Sequence, residues 1–343
     1  MPAIGHFVIP HADVVAQLRA KAGRVPVDEL SQELRRSDSS GWSVTTYLRL
    51  LEHGLDVTCG TAPESGLVNI CETRSLGARM WSADRFLVAI RGDAYRTRMA
   101  EFWISQSPTR PVTPVADWVW YWPQPGLKPR DADRGSRVER VSCKAVLRNL
   151  DPAFRDDAFQ TALAERGLTY ETPASEKSGD LQAFWRDYGT TDVVLAVRNM
   201  TAYDATGKPP SKLVNAWHAG VPALLGPEPA FETLRRSPLD FLTVRAPDEA
   251  LDALDRLRGD PTLYADMVRN GRARAAEFTD AAVAAQWRRL LEGPVADAFA
   301  RWRAAPAWRR RLTFPFRLAE DRAAWRLHRY RVRNGPRILD AAA

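Results

Sequence analysis

The chain has 343 residues, 45% of them hydrophobic and 27% charged, a composition typical of a folded protein and a length that favours two domains. Its net charge of +7 would indicate a nucleic-acid partner if the charge were spread evenly. However, residues 301–343 hold twelve arginines and three acidic residues, a net charge of +9, which leaves the first 300 residues at −2. The basic character therefore belongs to the tail, and we expect no nucleic-acid partner.

The beginning of the chain lacks the basic and apolar regions of a secretory signal, and no run approaches the roughly 18 apolar residues of a spanning helix. We therefore expect a cytoplasmic protein. Cys59, Cys71 and Cys143 lie in apolar stretches without the spacing of metal ligands, which indicates buried thiols without chemistry.

Short apolar runs alternate with amphipathic stretches in the first half, the pattern of strand–helix units around a parallel sheet. A helix at 42–54 is expected to begin near Ser39 or Ser40 and to stop at Gly54. The predicted strands are HFVIP (6–10), LDVTC (55–59), GLVNICE (66–72), RFLVAIRG (85–92) and EFWISQS (101–107). About 30 residues between the first strand and the helix remain unassigned.

A proline-rich, aromatic stretch at 108–137 is predicted to be an ordered linker without regular elements. Its WPQPGLKPR motif (122–130) could contact a sugar ring or fasten two domains together. Asp131 and Asp133 mimic an Asp-x-Asp metal motif, but Arg130 and Arg134 beside them can neutralise both carboxylates. We therefore expect no metal site.

A second alternating set follows the linker. Its predicted strands are VERVSCKAVL (138–147), LTYET (168–172), DVVLAVRN (192–199), VPALLG (221–226) and FLTVRA (241–246), and its helices lie near 152–167, 180–189, 211–220, 228–236 and 247–292. The sequence thus predicts an α/β fold with two Rossmann-like domains facing a cleft. We place them at 1–135 and 136–292, followed by a basic tail at 293–343.

The stretch KPPSKLVNAWHAGVPALLG (208–226) places a stiff basic loop at the start of a helix. We expect Ser211 to cap this helix, with Lys208 and Lys212 on either side of the cap. A helix N-terminus carries unpaired N–H groups and a partial positive charge, so the added lysines favour an anion such as a diphosphate. An ordinary capped helix with two solvated lysines is the alternative.

This stretch, followed by PEPAFETLRR (227–236) and the helical run at 248–279, resembles the donor-binding domain of GT-B glycosyltransferases. The resemblance is clearest over about 138–292. It implies a nucleotide-sugar donor, with its diphosphate at the helix N-terminus, and no further cofactor. Many retaining members carry a Glu-x(7)-Glu pair here, whereas this chain has Gly207 and Asn215, so retention or inversion stays open.

The resemblance and the strand ends add further candidate donor ligands. Asn215 could bind a ribose or phosphate, and Glu228 could accept from ribose hydroxyls or simply complement a helix dipole. Arg198, at the end of a predicted strand, could offset charge on the leaving diphosphate. Lys144 and Arg148 follow the strand after which GT-B proteins often place a Gly-Arg pair, although the glycine is missing.

Two other side chains have both a chemical and a structural interpretation. Asp93, after the strand RFLVAIRG, could remove a proton from an acceptor hydroxyl, or could form a surface pair with Arg91. His218 lies three residues after Asn215 and could face the same site, although a lone histidine is more often packed in a core.

Six aromatic rings alternate with the arginines of the tail. This composition suits an anionic membrane surface, with nucleic acid a weaker candidate, and a helix that packs back on the first domain is the structural alternative. We expect a cytoplasmic, metal-independent glycosyltransferase acting on a glycan or lipid-linked acceptor, at the inner membrane if the tail binds there. A nucleotide-sugar epimerase and a non-catalytic binding protein remain alternatives.

Overall fold

The computed structural model describes residues 4–34, 40–109, 112–173 and 178–340. The chain divides into two compact units. The first unit comprises 1–125, 207–209 and 280–334, and the second comprises 126–206, 210–279 and 335–343. The unit boundary at Pro125 precedes our predicted boundary by ten residues, and the predicted tail contributes to both units.

The first unit contains a parallel six-stranded sheet in the order β2-β1-β3-β4-β5-β6. Its strands are β1 (Gly5–Val8), β2 (Val57–Gly60), β3 (Val68–Glu72), β4 (Phe86–Ile90), β5 (Phe102–Ser105) and β6 (Ala116–Trp118), and its first helices are α1 (Ala12–Lys21), α2 (Val27–Glu33) and α3 (Ser40–Glu52). The central strands are buried along their whole length, as continuous apolar runs in a parallel sheet require. Gly54, with φ +70°, follows the end of α3 as predicted.

Two predictions for this half need correction or completion. Among the unassigned residues, the described part contains α1 and α2, which bury Val14, Leu18 and Leu30 in the core. The linker is not devoid of regular structure, because Ala116–Trp118 pairs with β5 as the sixth strand. Pro114 stands just before this strand, so the apolar run after it can donate its N–H groups to the sheet.

The second unit contains a parallel five-stranded sheet in the order β11-β10-β9-β7-β8. Its strands are β7 (Arg140–Ser142), β8 (Thr169–Glu171), β9 (Val193–Ala196), β10 (Ala223–Leu225) and β11 (Leu242–Thr243), and its helices are α4 (Asp157–Glu165), α5 (Ser178–Arg186), α6 (Ala202–Ala205), α7 (Ser211–Ala219), α8 (Pro229–Glu232), α9 (Pro247–Gly259) and α10 (Pro261–Ala275). Two parallel sheets of this kind confirm the prediction of two Rossmann-like domains. Cys59, Cys71 and Cys143 are buried free thiols, as predicted.

The C-terminal helices return to the first unit. Helix α11 (Asp280–Leu290) continues through a π-helical stretch at Leu291–Val295 into α12 (Ala296–Ala304), and α13 (Ala307–Asn334) follows. Pro294, which has no N–H, lies in the π-helical stretch, where the wider turn accommodates it. Within the described ranges, no helix has the length and apolar character needed to cross a membrane.

A buried carboxylate holds the second sheet together at the amino end of its central strands. Asp192, which is fully buried, precedes β9 and accepts hydrogen bonds from the backbone N–H groups of Glu139 and Arg140, both at 2.9 Å. Arg130 and Arg134 donate to the same carboxylate at 2.7 and 2.8 Å. Burial opposes the ionisation of Asp192, but these donors outweigh it and lower its pKa below the ordinary value.

Replacement of Asp192 by alanine should strongly destabilise the second unit. Arg130 would lose its buried partner, and breaking such a pair costs about 3–5 kcal/mol of unfolding free energy. As a control, Asp266→Ala removes the partner of the exposed Arg269 and should cost less than about 1 kcal/mol. Chemical denaturation of both variants provides the measurement, and equal losses for the two would contradict this account of Asp192.

Candidate functional site

The strand order of the second sheet reverses at β7, which lies between β8 and β9. The chain leaves β7 toward one side of the sheet for β8 and returns on the other side for β9. The loops that follow β7 and β9 therefore diverge and open a crevice at the carboxyl edge, where ligands bind in open α/β sheets. Lys144 follows β7 and Arg198 follows β9, so sequence analysis selected the two loops at this crevice.

Helix α7 follows β9 in the chain and begins at this same edge, before β10. Its cap residue is Pro210, and no side chain caps the helix, so the prediction that Ser211 is the cap was wrong. The carbonyl of Pro210 already accepts from Leu213 and Val214 at 3.1 Å, which places Ser211 one position inside the helix. The residue at the N-cap position therefore supplies no capping side-chain oxygen to the first turn.

Lys212, in the first turn of α7, lies near the end of β7. Its charge favours the thiolate of Cys143, although burial has the larger effect and raises the pKa of that thiol. Lys212 therefore lies within electrostatic range of Cys143, the residue that follows β7. The helix N-terminus, Lys212 and the crevice are thus parts of one region of the second unit.

Arg198 and Glu228 form a buried ion pair at the same edge, between the loops after β9 and β10. Arg198 Nε donates to Glu228 Oε1 at 2.7 Å, and a terminal guanidinium nitrogen donates to Oε2. The Glu228 side chain is only 1% exposed, so it depends on Arg198 to satisfy both oxygens. Sequence analysis selected both residues from their positions after strands but did not predict that they pair.

The loop after β7 runs beside the loop after β9. Backbone hydrogen bonds of 2.8 Å join Asn199 to Asn149 and Asp151 to Val197. Arg148, in the same loop, is exposed. The structure thus brings Arg148 to the neighbourhood of Arg198.

Lys144 has a different environment from the one predicted for a phosphate ligand. Its Nζ donates to the carbonyl of Phe184 at 3.1 Å and to that of Asp187, and it lies 4.2 Å from the centre of the Phe184 ring. Burial lowers the pKa of Lys144 to about 8. These internal partners indicate a structural role, and its contact with a donor stays a prediction.

Two residues of α7 are held within the second unit. Asn215 is buried, and its interaction with a ribose or phosphate stays a prediction. His218 Nε2 lies 3.2 Å from the carbonyl oxygen of Phe278, in agreement with a packing role for this histidine.

Asp93 forms a cluster of charges in the first unit, after β4. Arg74 donates to one oxygen at 2.7 Å and Lys208 to the other at 3.0 Å. Burial opposes ionisation of Asp93, but Lys208 and Arg74 outweigh it and lower its pKa. The predicted partner was Arg91; Arg74 was missed, although its place two residues after β3 gave the same strand-end signal.

The remaining motifs of the linker have structural contacts. Trp122 is buried, and its indole N–H donates to Thr46 at 3.0 Å. Asp131 and Asp133 lie beside the two arginines that hold Asp192. In the part of the chain that the structure describes, no group of three or more histidine, cysteine or acidic side chains could hold a metal ion.

Comparison of the whole chain with solved structures identifies its fold. It matches HepE from Anabaena, described in complex with UDP and glucose, with a TM-score of 0.50 and 13% identity over 84% of this chain and 99% of HepE. It also matches AviGT4, a glycosyltransferase involved in avilamycin A biosynthesis, with a TM-score of 0.50 and 14% identity over 84% of this chain and 98% of AviGT4. The chain has the GT-B fold.

A chain of the GtfA/B complex also matches at a TM-score of 0.46, and this chain spans 62% of its length. No protein-family model and no curated protein sequence matches the chain. At these identities the likeness to GT-B glycosyltransferases concerns the fold, and the chemistry has to be argued from the residues.

A double substitution should reveal the interdependence of Arg198 and Glu228. Arg198→Met leaves the carboxylate of Glu228 buried without its guanidinium and should cost about 3 kcal/mol or more of unfolding free energy. Arg198→Met combined with Glu228→Gln removes that buried charge, so it should be more stable than Arg198→Met alone. Chemical denaturation of the two single variants and the double variant measures the coupling, and additive losses would contradict it.

Proposed function

We propose that this protein is a glycosyltransferase that moves a sugar from a nucleotide-sugar to a hydroxyl of a glycan or lipid-linked acceptor. The transfer would take place in the cytoplasm or at the inner membrane, without a metal ion. A hexose linked to UDP is the first donor to test, because HepE, with the same fold, is described with UDP and glucose. The GT-B fold supports this class of reaction, and the carboxyl edge of the second unit supports the donor site.

The observation that carries the proposal is the positive end of α7 at the crevice beside β7. In the proposed complex, the diphosphate accepts from the first-turn N–H groups at Ser211 and Lys212, with the Lys212 ammonium and Arg148 beside it. Lys212 belongs to the first turn of α7, which begins at the carboxyl edge of the sheet, so its charge lies at the same edge as the crevice. Asn215 and Lys144 are kept as weaker candidates.

In the proposed complex, the ion pair of Arg198 and Glu228 would hold the groups that contact the donor in a fixed orientation. Each group is held by the other in a fixed geometry, so little reorganisation is needed when a ligand binds. In our proposal, Glu228 orients Arg198 toward the departing diphosphate, and the carboxylate accepts from ribose if the pair opens. The cations and the helix terminus would offset the charge of the leaving group in place of a metal ion.

Asp93 is the proposed base of the transfer. The acceptor hydroxyl would attack the anomeric carbon, the bond to the diphosphate would break, and Asp93 would take the hydroxyl proton. The lowered pKa keeps Asp93 ionised at neutral pH, so the group can accept a proton. In this account Lys208 keeps the carboxylate charged, and its direct contact with phosphate is a second possible role.

The donor site can be tested by ligand-induced stabilisation. UDP-glucose at about 100 times its dissociation constant should add about 2.7 kcal/mol and raise the melting temperature by several degrees, with EDTA present. Lys212→Ala should weaken binding by about tenfold or more, because a hydrogen bond to a charged group contributes about 1.5–3 kcal/mol. Lys128→Ala, which removes an exposed lysine of the same unit, is the matched control.

A panel of UDP-, GDP-, ADP-, CMP- and dTDP-sugars extends this measurement to other donors. Stabilisation by one class that Lys212→Ala abolishes and Lys128→Ala preserves would support the site. Stabilisation by none of them, in folded protein, would exclude it, and equal effects of the two lysine variants would move the donor away from α7.

Replacement of Asp93 should separate transfer from donor binding. Asp93→Asn keeps the shape of the side chain but should lower kcat by about 100-fold or more, with donor affinity unchanged, because general-base catalysis contributes about 10²–10⁴-fold. Asp84→Asn in the same unit is the control. A kcat within about fivefold of the wild type would rule out Asp93 as the base.

The products of the same assay distinguish the alternatives. Transfer releases the nucleotide diphosphate and forms an acceptor glycoside. A changed sugar that remains on the nucleotide would indicate an epimerase. Donor binding without turnover across a panel of acceptors would indicate a non-catalytic binding protein.

A further inference from the structure

Helix α13 exposes most of the large apolar side chains found on the surface. Among the described residues, six of the seven exposed large hydrophobic side chains lie on it, and Val112 is the seventh. The six are Trp308, Leu312, Phe316, Trp325, Leu327 and Tyr330, with exposures from 43% to 72%. All of them except Trp325 lie on one side of the helix, and a contiguous exposed apolar surface marks an interaction site.

The opposite face of α13 is held against the first unit by polar contacts. Asp321 accepts from the Tyr95 hydroxyl at 2.9 Å, the Thr97 hydroxyl at 2.7 Å and the Arg98 backbone N–H at 2.6 Å. Burial, together with Asp321, raises the pKa of Tyr95 to about 12. These contacts fix which face of the helix points away from the unit.

Further contacts extend this attachment along the helix. Arg317 donates to Glu101 at 2.6 Å, and Arg310 donates to the Ala83 carbonyl at 2.8 Å. The main apolar contact is the stack of Phe314 on Trp81, with ring centres 4.0 Å apart. The inward face of α13 therefore has its own polar and apolar partners in the first unit. The outward rings are not part of this core.

The outward side chains form an apolar stripe with basic margins. At about 100° per residue, an arc of roughly 100° contains the apolar residues Trp308, Leu312, Phe316, Ala319, Ala323, Leu327 and Tyr330. Arg326 lies in line with Trp308 at one edge of this stripe. Arg311, Arg322, Arg329 and Arg333 border that edge, and Arg309, Arg331 and the acidic Glu320 border the other. The helix thus carries apolar groups on both sides, with Phe314 stacked on Trp81 toward the protein and the stripe toward solvent.

We propose that this outward face binds the surface of a bilayer that contains anionic lipids. The stripe would enter the boundary between headgroups and acyl chains, while the arginines at its margins bind lipid phosphates. The 28 residues of α13 extend about 42 Å, so a helix lying in the plane of the bilayer makes a long contact. The apolar side chains face outward and the arginines flank them, which is the arrangement that a helix in the plane of a bilayer requires.

A membrane explains this face better than a nucleic acid does. Leu312, Phe316 and Leu327 lie where a nucleic-acid surface would need cations, and aliphatic side chains gain little from phosphates. The proposal is independent of the donor site, because binding of the intact chain to vesicles requires no nucleotide-sugar and no transfer.

Vesicle sedimentation of the full chain tests the proposal. The wild type should bind vesicles of 30% phosphatidylglycerol and 70% phosphatidylcholine at least about tenfold more tightly than vesicles of phosphatidylcholine alone, and salt should weaken this binding. Leu312→Gln/Phe316→Gln removes part of the stripe, and Arg311→Glu/Arg322→Glu reverses charge at one margin. Each should reduce binding to the mixed vesicles by about tenfold or more.

The controls make the same chemical changes elsewhere. Val112→Gln removes an exposed apolar side chain, and Arg155→Glu/Arg256→Glu reverses two exposed charges in the second unit; both should bind like the wild type. All of the replaced side chains are exposed, so we expect every variant to fold. Melting temperatures check that they do.

Wild-type binding by both α13 variants, or equal binding to neutral and anionic vesicles, would overturn the proposal. A third result would assign this face of α13 to nucleic acid and would likewise overturn the membrane proposal. In that case the chain binds a DNA or RNA oligonucleotide, the arginine variant abolishes that binding, and the stripe variant leaves vesicle and oligonucleotide binding unchanged.

Discussion

The carboxylate of Asp192 fixes the relative placement of the two central strands of the second unit. It belongs to the residue before β9, yet it accepts from the backbone at the start of β7, so it joins the amino ends of the strands between which the crevice opens. The loops at the opposite edge carry Arg148 and Arg198, whose positions depend on this alignment. In the proposed donor site, this buried charge at the opposite edge of the sheet would fix the spacing of the two loops that carry the arginines.

At the carboxyl edge, some charged groups are paired within the protein and would orient the donor. Other charged groups would attract its negative charge. Arg198 and Glu228 neutralise each other, and Lys144 is enclosed by carbonyl groups and aromatic rings. In the proposed complex, the attraction for a diphosphate would come mainly from Lys212, Arg148 and the positive end of α7. Sequence position placed Lys212 and Arg198 ahead of Lys144 and Arg148, for which the family's glycine is missing; burial and partners now separate Lys144 from Arg148.

The sequence allowed most of the sheet strands to be predicted, because continuous apolar runs such as FLVAI can be satisfied only in a buried strand. It was weaker where the structure depends on distant partners. The short strand β6 exists because β5 offers an edge to pair with, and Glu228 meets Arg198 across 30 positions of chain. The cap of α7 was misplaced by one residue, because hydrogen bonding starts at the carbonyl of Pro210, a group that every residue type has.

Helix α13 is a case in which the hydrophobic pattern alone does not determine the orientation of a helix on the protein. Its aromatic and aliphatic residues occur on more than one side, so their periodicity does not reveal which side faces the protein. Specific polar contacts decide the matter, above all the three donors that meet Asp321 on the first unit. Once that face is held, α13 cannot turn Trp308, Leu312 and Phe316 inward without breaking the hydrogen bonds to Asp321. The exposed stripe is therefore a consequence of the anchoring contacts, and these contacts would keep it available to an external apolar surface.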